Sequence, residues 1–181
     1  IRDSIEEQEY HLDVGVLGGR VLFHVLTEFG YSDLAFSMIT RPDYPSYGNW
    51  IARGATTLWE VFQPEGSDRI GSLNHHFWGD ISSWFTQALS GIRMAPHGEP
   101  NEVDFRPSFI SRLTHAEAFH IAPAGRIASA WERDEDDVIV LTVELPSTMH
   151  GVIRLESGYV FEDGLAYKAA ESGTYRIHSI E

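Results

Sequence analysis

The feature that most limits the folds open to this chain is a change of period near Ala95. Before it, apolar residues recur at helical spacing; beyond it they alternate with polar ones, as in half-buried strands. On the helical side, Val14, Leu17, Val21, Leu22, Val25, Leu26 and Phe29 follow a 3.6-residue repeat. This spacing predicts a helix from Val14 to Phe29, capped by Asp13 and stopped by Gly30. Gly15, Gly18 and Gly19 fall inside it, where each glycine costs about 1 kcal/mol relative to alanine, so the close approach of another backbone is expected there. A second helix begins at Ser32 or Asp33 and carries Leu34, Ala35, Phe36, Met38 and Ile39; Gly30-Tyr31 leaves room only for a tight reversal, hence an antiparallel hairpin. Pro42, Pro45 and Gly48 make Arg41 to Gly48 a loop, with a short helical turn from Tyr47 to Ile51. Gln63 to Asp68 reads as another loop. The last helix places Trp78, Ile81, Trp84, Phe85 and Leu89 on one face and stops at Gly91.

Ala95 to Asn101 has the composition of a linker. Beyond it, strands are expected at Glu102 to Arg106, Leu113 to Ile121, Arg126 to Arg133, Val138 to Leu145, Gly151 to Glu156, Tyr159 to Phe161 and Tyr175 to Ile180. Short strands so spaced point to an antiparallel β-sandwich with Trp131 in its core and Glu132 to Asp137 as a solvated hairpin turn. The fold class is therefore α+β in two parts, helical hairpins over 1–94 and a sandwich over 95–181. Three helices are too few to close a bundle, so they either pack on the sandwich or continue from helices upstream. An open helical face predicts self-association or pairing with such an upstream region.

A net charge of −14 without any run of Lys or Arg argues against nucleic acid as a partner, because phosphate neutralisation supplies most of that affinity. Cysteine is absent, which excludes disulfides and thiolate metal sites. No segment has the length and apolarity to span a bilayer, and Ile1 to Glu7 is not a signal peptide, so the compartment stays open. The chain starts without methionine, as a piece of a longer polypeptide would.

Four of the five tryptophans, Trp50, Trp59, Trp78 and Trp84, lie between Arg41 and Phe85, with Tyr44, Tyr47, Phe62, Phe77, His75 and His76. Such rings form ordinary core; they also form sugar sites, where aromatic faces pack on the C–H face of a pyranose and a few polar groups orient it. Glu60, at the centre of this stretch, reads either as a reactive acid or as a buried ion-pair or capping residue. Glu65, Asp68 and Asp80 read as solvated loop and helix-start residues. The nine histidines are scattered or adjacent, with no HExxH spacing, so neither a metal nor another cofactor is implied. Ser90 and Ser129 lack the G-x-S-x-G elbow of a serine nucleophile.

Several segments together resemble the C-terminal end of glycoside hydrolase family 78, the bacterial α-L-rhamnosidases. These are His11-Leu12-Asp13-Val14-Gly15, Asp43-Tyr44-Pro45-Ser46-Tyr47, Gly54-Ala55-Thr56-Thr57-Leu58-Trp59-Glu60, Ser72-Leu73-Asn74-His75-His76-Phe77-Trp78-Gly79 and Ser90-Gly91-Ile92. The ATTxWE and NHxxxG pair is the specific part, and the sandwich matches loosely. The resemblance implies that the first half ends an (α/α)6 barrel, incomplete here, and that the second is the family's C-terminal β-domain. It further implies inverting hydrolysis of terminal α-L-rhamnosides, with Glu60 as general base, His75 lining the sugar subsite, and Tyr47, Trp50 and Trp59 as aromatic walls. An ionised base needs a nearby donor, and His75 is the candidate. The family's general acid has no counterpart motif here, so the chain alone is expected to be inactive. Val61-Phe62 stands where the family often has Arg-Trp.

Overall fold

A computed structural model describes residues 2–68 and 71–180, with helices in the first half and strands from Ile92 onward. The chain divides into two units, the first ending at Ser83 and the second beginning at Trp84. The helical unit contains α1 (Arg2–Glu7), α2 (Val16–Glu28), α3 (Ser32–Thr40), α4 (Tyr47–Ala52) and the start of α5 (Ile81–Trp84), which runs on as a π turn over Phe85–Leu89. α1 has no counterpart in the periodicity reading. Gly30 ends α2 at φ +79°, with the Tyr31 N–H returning to Leu26 O at 2.8 Å, and α3 follows at once, so the expected hairpin forms.

α2 starts later than the spacing predicts, with Gly15 rather than Asp13 at the N-cap. The face it buries also differs. Gly19, Phe23 and Leu26 point inward, while Leu17 is 77% exposed, Val21 56% and Phe29 74%. The apolar residues of this helix cover a sector wider than one stripe, opposite Arg20, His24, Thr27 and Glu28, and neighbours decide which part of it is buried. Of the three helix glycines, only Gly19 meets a tight neighbour from elsewhere, and that neighbour is the indole of Trp78 rather than a backbone.

In the second unit, the strands are β1 (Ile92–Met94), β2 (Val103–Phe105), β3 (His115–Ala122), β4 (Gly125–Arg133), β5 (Ile139–Glu144), β6 (Val152–Arg154), β7 (Tyr159–Phe161), β8 (Tyr167–Ala169) and β9 (Gly173–Ser179). They form two sheets, ordered β1-β2-β6-β8 and β3-β4-β5-β9-β7. All pairings are antiparallel except β2 with β6, where Phe105 pairs with Ile153. The stretch read as a linker closes the β1–β2 hairpin, with the Ala95 N–H on Glu102 O at 2.8 Å. The inward residues of both sheets meet in one core: Ile92, Phe105 and Ile153 from one, Ile127, Trp131, Leu141, Phe161 and Ile177 from the other. Trp131 donates its indole N–H to Leu89 O at 2.6 Å, which satisfies the polar edge of a buried ring. The buried side of the last helix is Ile81, Trp84 and Ala88; Phe85, expected on it, is exposed because the stripe passes to its side.

Candidate active site

The loop after α3 is drawn tight by Ser46. Its hydroxyl donates to Arg41 O at 2.6 Å, and its oxygen accepts the Asn49 N–H at 2.9 Å as the N-cap of α4. Gly48 is required in this loop, since a Cβ there would stand 2.2 Å from Arg41 O. With α4 so started, Tyr47 and Trp50 lie one turn apart and point inward. Tyr47 packs against Phe23, Trp50, Phe62 and Trp78, and Trp50 stacks on Phe62 with centroids 4.2 Å apart. The Tyr47 hydroxyl donates to Trp78 O at 3.0 Å, and burial, with the nearby charge of Asp80 second, pushes its pKa up. Both rings are buried among their neighbours. Among the three aromatic residues expected to line a sugar, Trp59 alone is half-buried, at the edge of the cluster with Arg53 over its ring at 5.2 Å.

Glu60 lies on an irregular segment that runs beside residues 72–75. Its N–H donates to Ser72 O at 2.8 Å, and the Ser72 N–H donates back to the Glu60 Oε2 at 2.8 Å. The His75 N–H donates to Leu58 O at 2.8 Å, and the Thr57 hydroxyl donates to Leu73 O. A third tie comes from Trp78, whose indole N–H donates to Glu60 O at 3.0 Å. Glu60 is therefore held at its amide, its carbonyl and one carboxylate oxygen. Its Oε1 has no hydrogen-bond partner among the described residues.

His75 sits on the segment beside that of Glu60, so the structure brings the two expected site residues onto neighbouring irregular segments. They share no hydrogen bond among the described residues; the donor that Glu60 uses is the Ser72 amide. His75 Nδ1 accepts the Phe77 N–H at 3.2 Å, which places the proton of the neutral ring on Nε2. Its ring stacks on His76 at 5.2 Å and meets Phe77 edge-on at 3.7 Å.

Two polar clusters escaped the sequence reading. Asp80, read as a solvated helix start, is half-buried and pairs with His24 Nε2 at 2.9 Å. Asp43 is gripped by Arg41 through both carboxylate oxygens, at 2.8 and 2.7 Å, and by His11 Nε2 at 2.9 Å. Arg41 first and His11 second hold its carboxyl far below the usual range. The histidine partners are 56 residues from Asp80 and 32 from Asp43, beyond any local spacing signal, whereas Arg41 is only two residues from Asp43. Glu65 and Asp68 are exposed, as expected. Among the described residues no three His, Asp or Glu side chains converge on a point where a metal ion could be held.

Residues 1–89 match the bacterial alpha-L-rhamnosidase 6 hairpin glycosidase domain, and residues 101–158 match the bacterial alpha-L-rhamnosidase C-terminal domain. The chain belongs to the bacterial α-L-rhamnosidase family. Among relatives, it is 28% identical to an alpha-L-rhamnosidase of Streptomyces avermitilis over 96% of its length, and 33% identical to one of Formosa agariphila over 81%. It spans only 18% and 16% of those two rhamnosidases. The solved structure of the alpha-L-rhamnosidase from Dictyoglumus thermophilum superposes with a TM-score of 0.82 at 27% identity, covering 99% of this chain and 22% of that one. The Streptomyces avermitilis alpha-L-rhamnosidase complexed with L-rhamnose also gives 0.82 at 27% identity, covering 97% of this chain and 19% of its own. The helical hairpins followed by a β-sandwich are thus those of rhamnosidases, of which this chain spans about a fifth.

Proposed function

We propose that this chain is the C-terminal part of an inverting glycoside hydrolase that removes terminal α-L-rhamnose from glycosides, with Glu60 as general base. The observation that carries the reading is the hold on Glu60. An inverting base must stay ionised and aim one oxygen at water across a gap of about 6.5–9.5 Å from the acid. The Ser72 N–H fixes Oε2 and leaves Oε1 for that water. His75, with its Nε2 proton outward from the Phe77 contact, would donate to a sugar hydroxyl, and Trp59 would offer the ring edge nearest solvent. Tyr47 and Trp50 would act from behind, by fixing Trp78 and Trp59. The general acid would come from a region upstream of these residues, as would the rest of the (α/α)6 barrel.

The test is hydrolysis of an aryl α-L-rhamnoside by the chain joined to its upstream region. Glu60→Gln is expected to lower kcat by about 10²–10⁴-fold with KM little changed, as for loss of a base that acts in the transition state. Proton NMR at early times should show the β-anomer of rhamnose first. Retained turnover in Glu60→Gln, or the α-anomer as first product, would sink the assignment. A second reading, a non-catalytic or self-associating piece, is favoured by one observation: the exposed Leu17 and Val21, one turn apart on α2. An upstream hairpin or a second copy would cover them.

A further inference from the structure

The outer face of the β3–β4–β5 sheet, turned away from the sandwich core, carries a groove of about 540 Å³. Its shape follows from the register. On the central strand the outward positions are Ala128 and Ala130; Phe119 and Glu117 stand opposite them on β3, and Glu144 and Thr142 on β5. Two methyl groups between rows of longer side chains leave a trough whose floor is apolar and whose rims are not. Phe119 is 61% exposed there, and the Arg126 guanidinium lies over its ring at 5.0 Å while pairing with Glu144. Glu117 forms no hydrogen bond or ion pair among the described residues.

We infer that this groove is a binding site for a neutral pyranoside, separate from the Glu60 site and independent of the catalytic reading. The volume lies within the usual range for small-molecule pockets, about 300–1,000 Å³, and holds more than one sugar ring. The chemistry also fits. Carboxylates accept from hydroxyls, the guanidinium donates to ring and hydroxyl oxygens, and the Phe119 and alanine surfaces take the C–H face. Arg126 is already neutralised by Glu144, so an anionic ligand gains little there, and a polyol can satisfy both signs at once. A second copy of a chain with net charge −14 would bring further negative charge to a rim that already holds Glu117 and Glu144.

The experiment is a titration of the isotopically labelled 181-residue chain with L-rhamnose, D-galactose and D-glucose, followed through backbone amide shifts. At least one sugar should shift the Ala128, Ala130 and Thr142 amides saturably, with Kd on the order of millimolar. Phe119→Ala should weaken that binding about tenfold, and Glu117→Gln several-fold, while Glu60→Gln leaves it unchanged. Phe119 is exposed, so the variant should fold, and its own spectrum reports whether it does. The proposal is overturned if no sugar moves these amides, or if Phe119→Ala binds as tightly as the parent. It is equally overturned if the same amides shift with protein concentration alone and Phe119→Glu abolishes the effect, which would make a second copy the occupant.

Discussion

Replacing Gly19 by alanine should loosen Glu60 without touching it. A Cβ at Gly19 would stand 2.3 Å from Trp78 Cζ3 and 2.9 Å from Cε3, against a carbon–carbon optimum of about 3.5–4.0 Å. The indole must therefore move by about 1 Å. Its N–H lies 3.0 Å from Glu60 O, so a shift of that size takes the bond out of range. Overpacking costs about 1–3 kcal/mol and the lost hydrogen bond about 1 kcal/mol. Better helix propensity returns about 1 kcal/mol, leaving a net loss of about 1–3 kcal/mol. Urea unfolding followed by circular dichroism should show the midpoint falling by about 0.5–1.5 M. Hydrogen exchange at the Trp78 indole should show its protection lost. Gly18→Ala, whose added methyl meets only the Val14 side chain at 3.0 Å, should be close to neutral. If Gly19→Ala is at least as stable as the parent and keeps the Trp78 indole proton protected, the packing argument is wrong.

Gly91→Ala should be more damaging still, because at φ +79° a Cβ would meet Pro107 N at 2.2 Å and Arg106 C at 2.4 Å; soluble yield and melting temperature report it, and a melt within 1–2 °C of the parent, about 0.5 kcal/mol, would refute it. The Asp43 carboxylate, with its pKa lowered by Arg41 and His11, contributes stability that is present above the ordinary carboxylate value of about 4 and is lost as pH falls below it. Asp43→Asn should accordingly flatten the acid limb of the stability–pH curve, and parallel curves for parent and variant would count against that pairing. For the 181-residue chain alone, sedimentation should show concentration-dependent association that Leu17→Glu with Val21→Glu suppresses; a monomer at all concentrations would dismiss the open α2 face as an association surface.

What the sequence determined by itself was whatever local spacing can encode. The α2–α3 hairpin follows from Gly30, and β4 and β5 appear nearly to the residue because alternation with turn residues at both ends leaves few alternatives. Glu60 and His75 were marked out by the family resemblance of the short contiguous motifs that hold them, and their roles remain part of the proposal. Tertiary structure decided the rest. β1 and β8 were not expected, although β2, β6 and β7, of the same three-residue length, were; both are strands because β2 and β6 supply their hydrogen bonds. Which part of α2 is buried could not be read from an apolar sector wider than one stripe. Tyr47 and Trp50 have the composition of a sugar wall, but both are buried, with Phe62 packed against each. The hold on Glu60 shows the difference most clearly. Its donor is a backbone amide, which every residue carries, and its carbonyl is held by an indole whose place depends on the missing side chain of Gly19. A backbone donor and an absent atom leave no signature in residue type; only the fold that brings them together makes them visible.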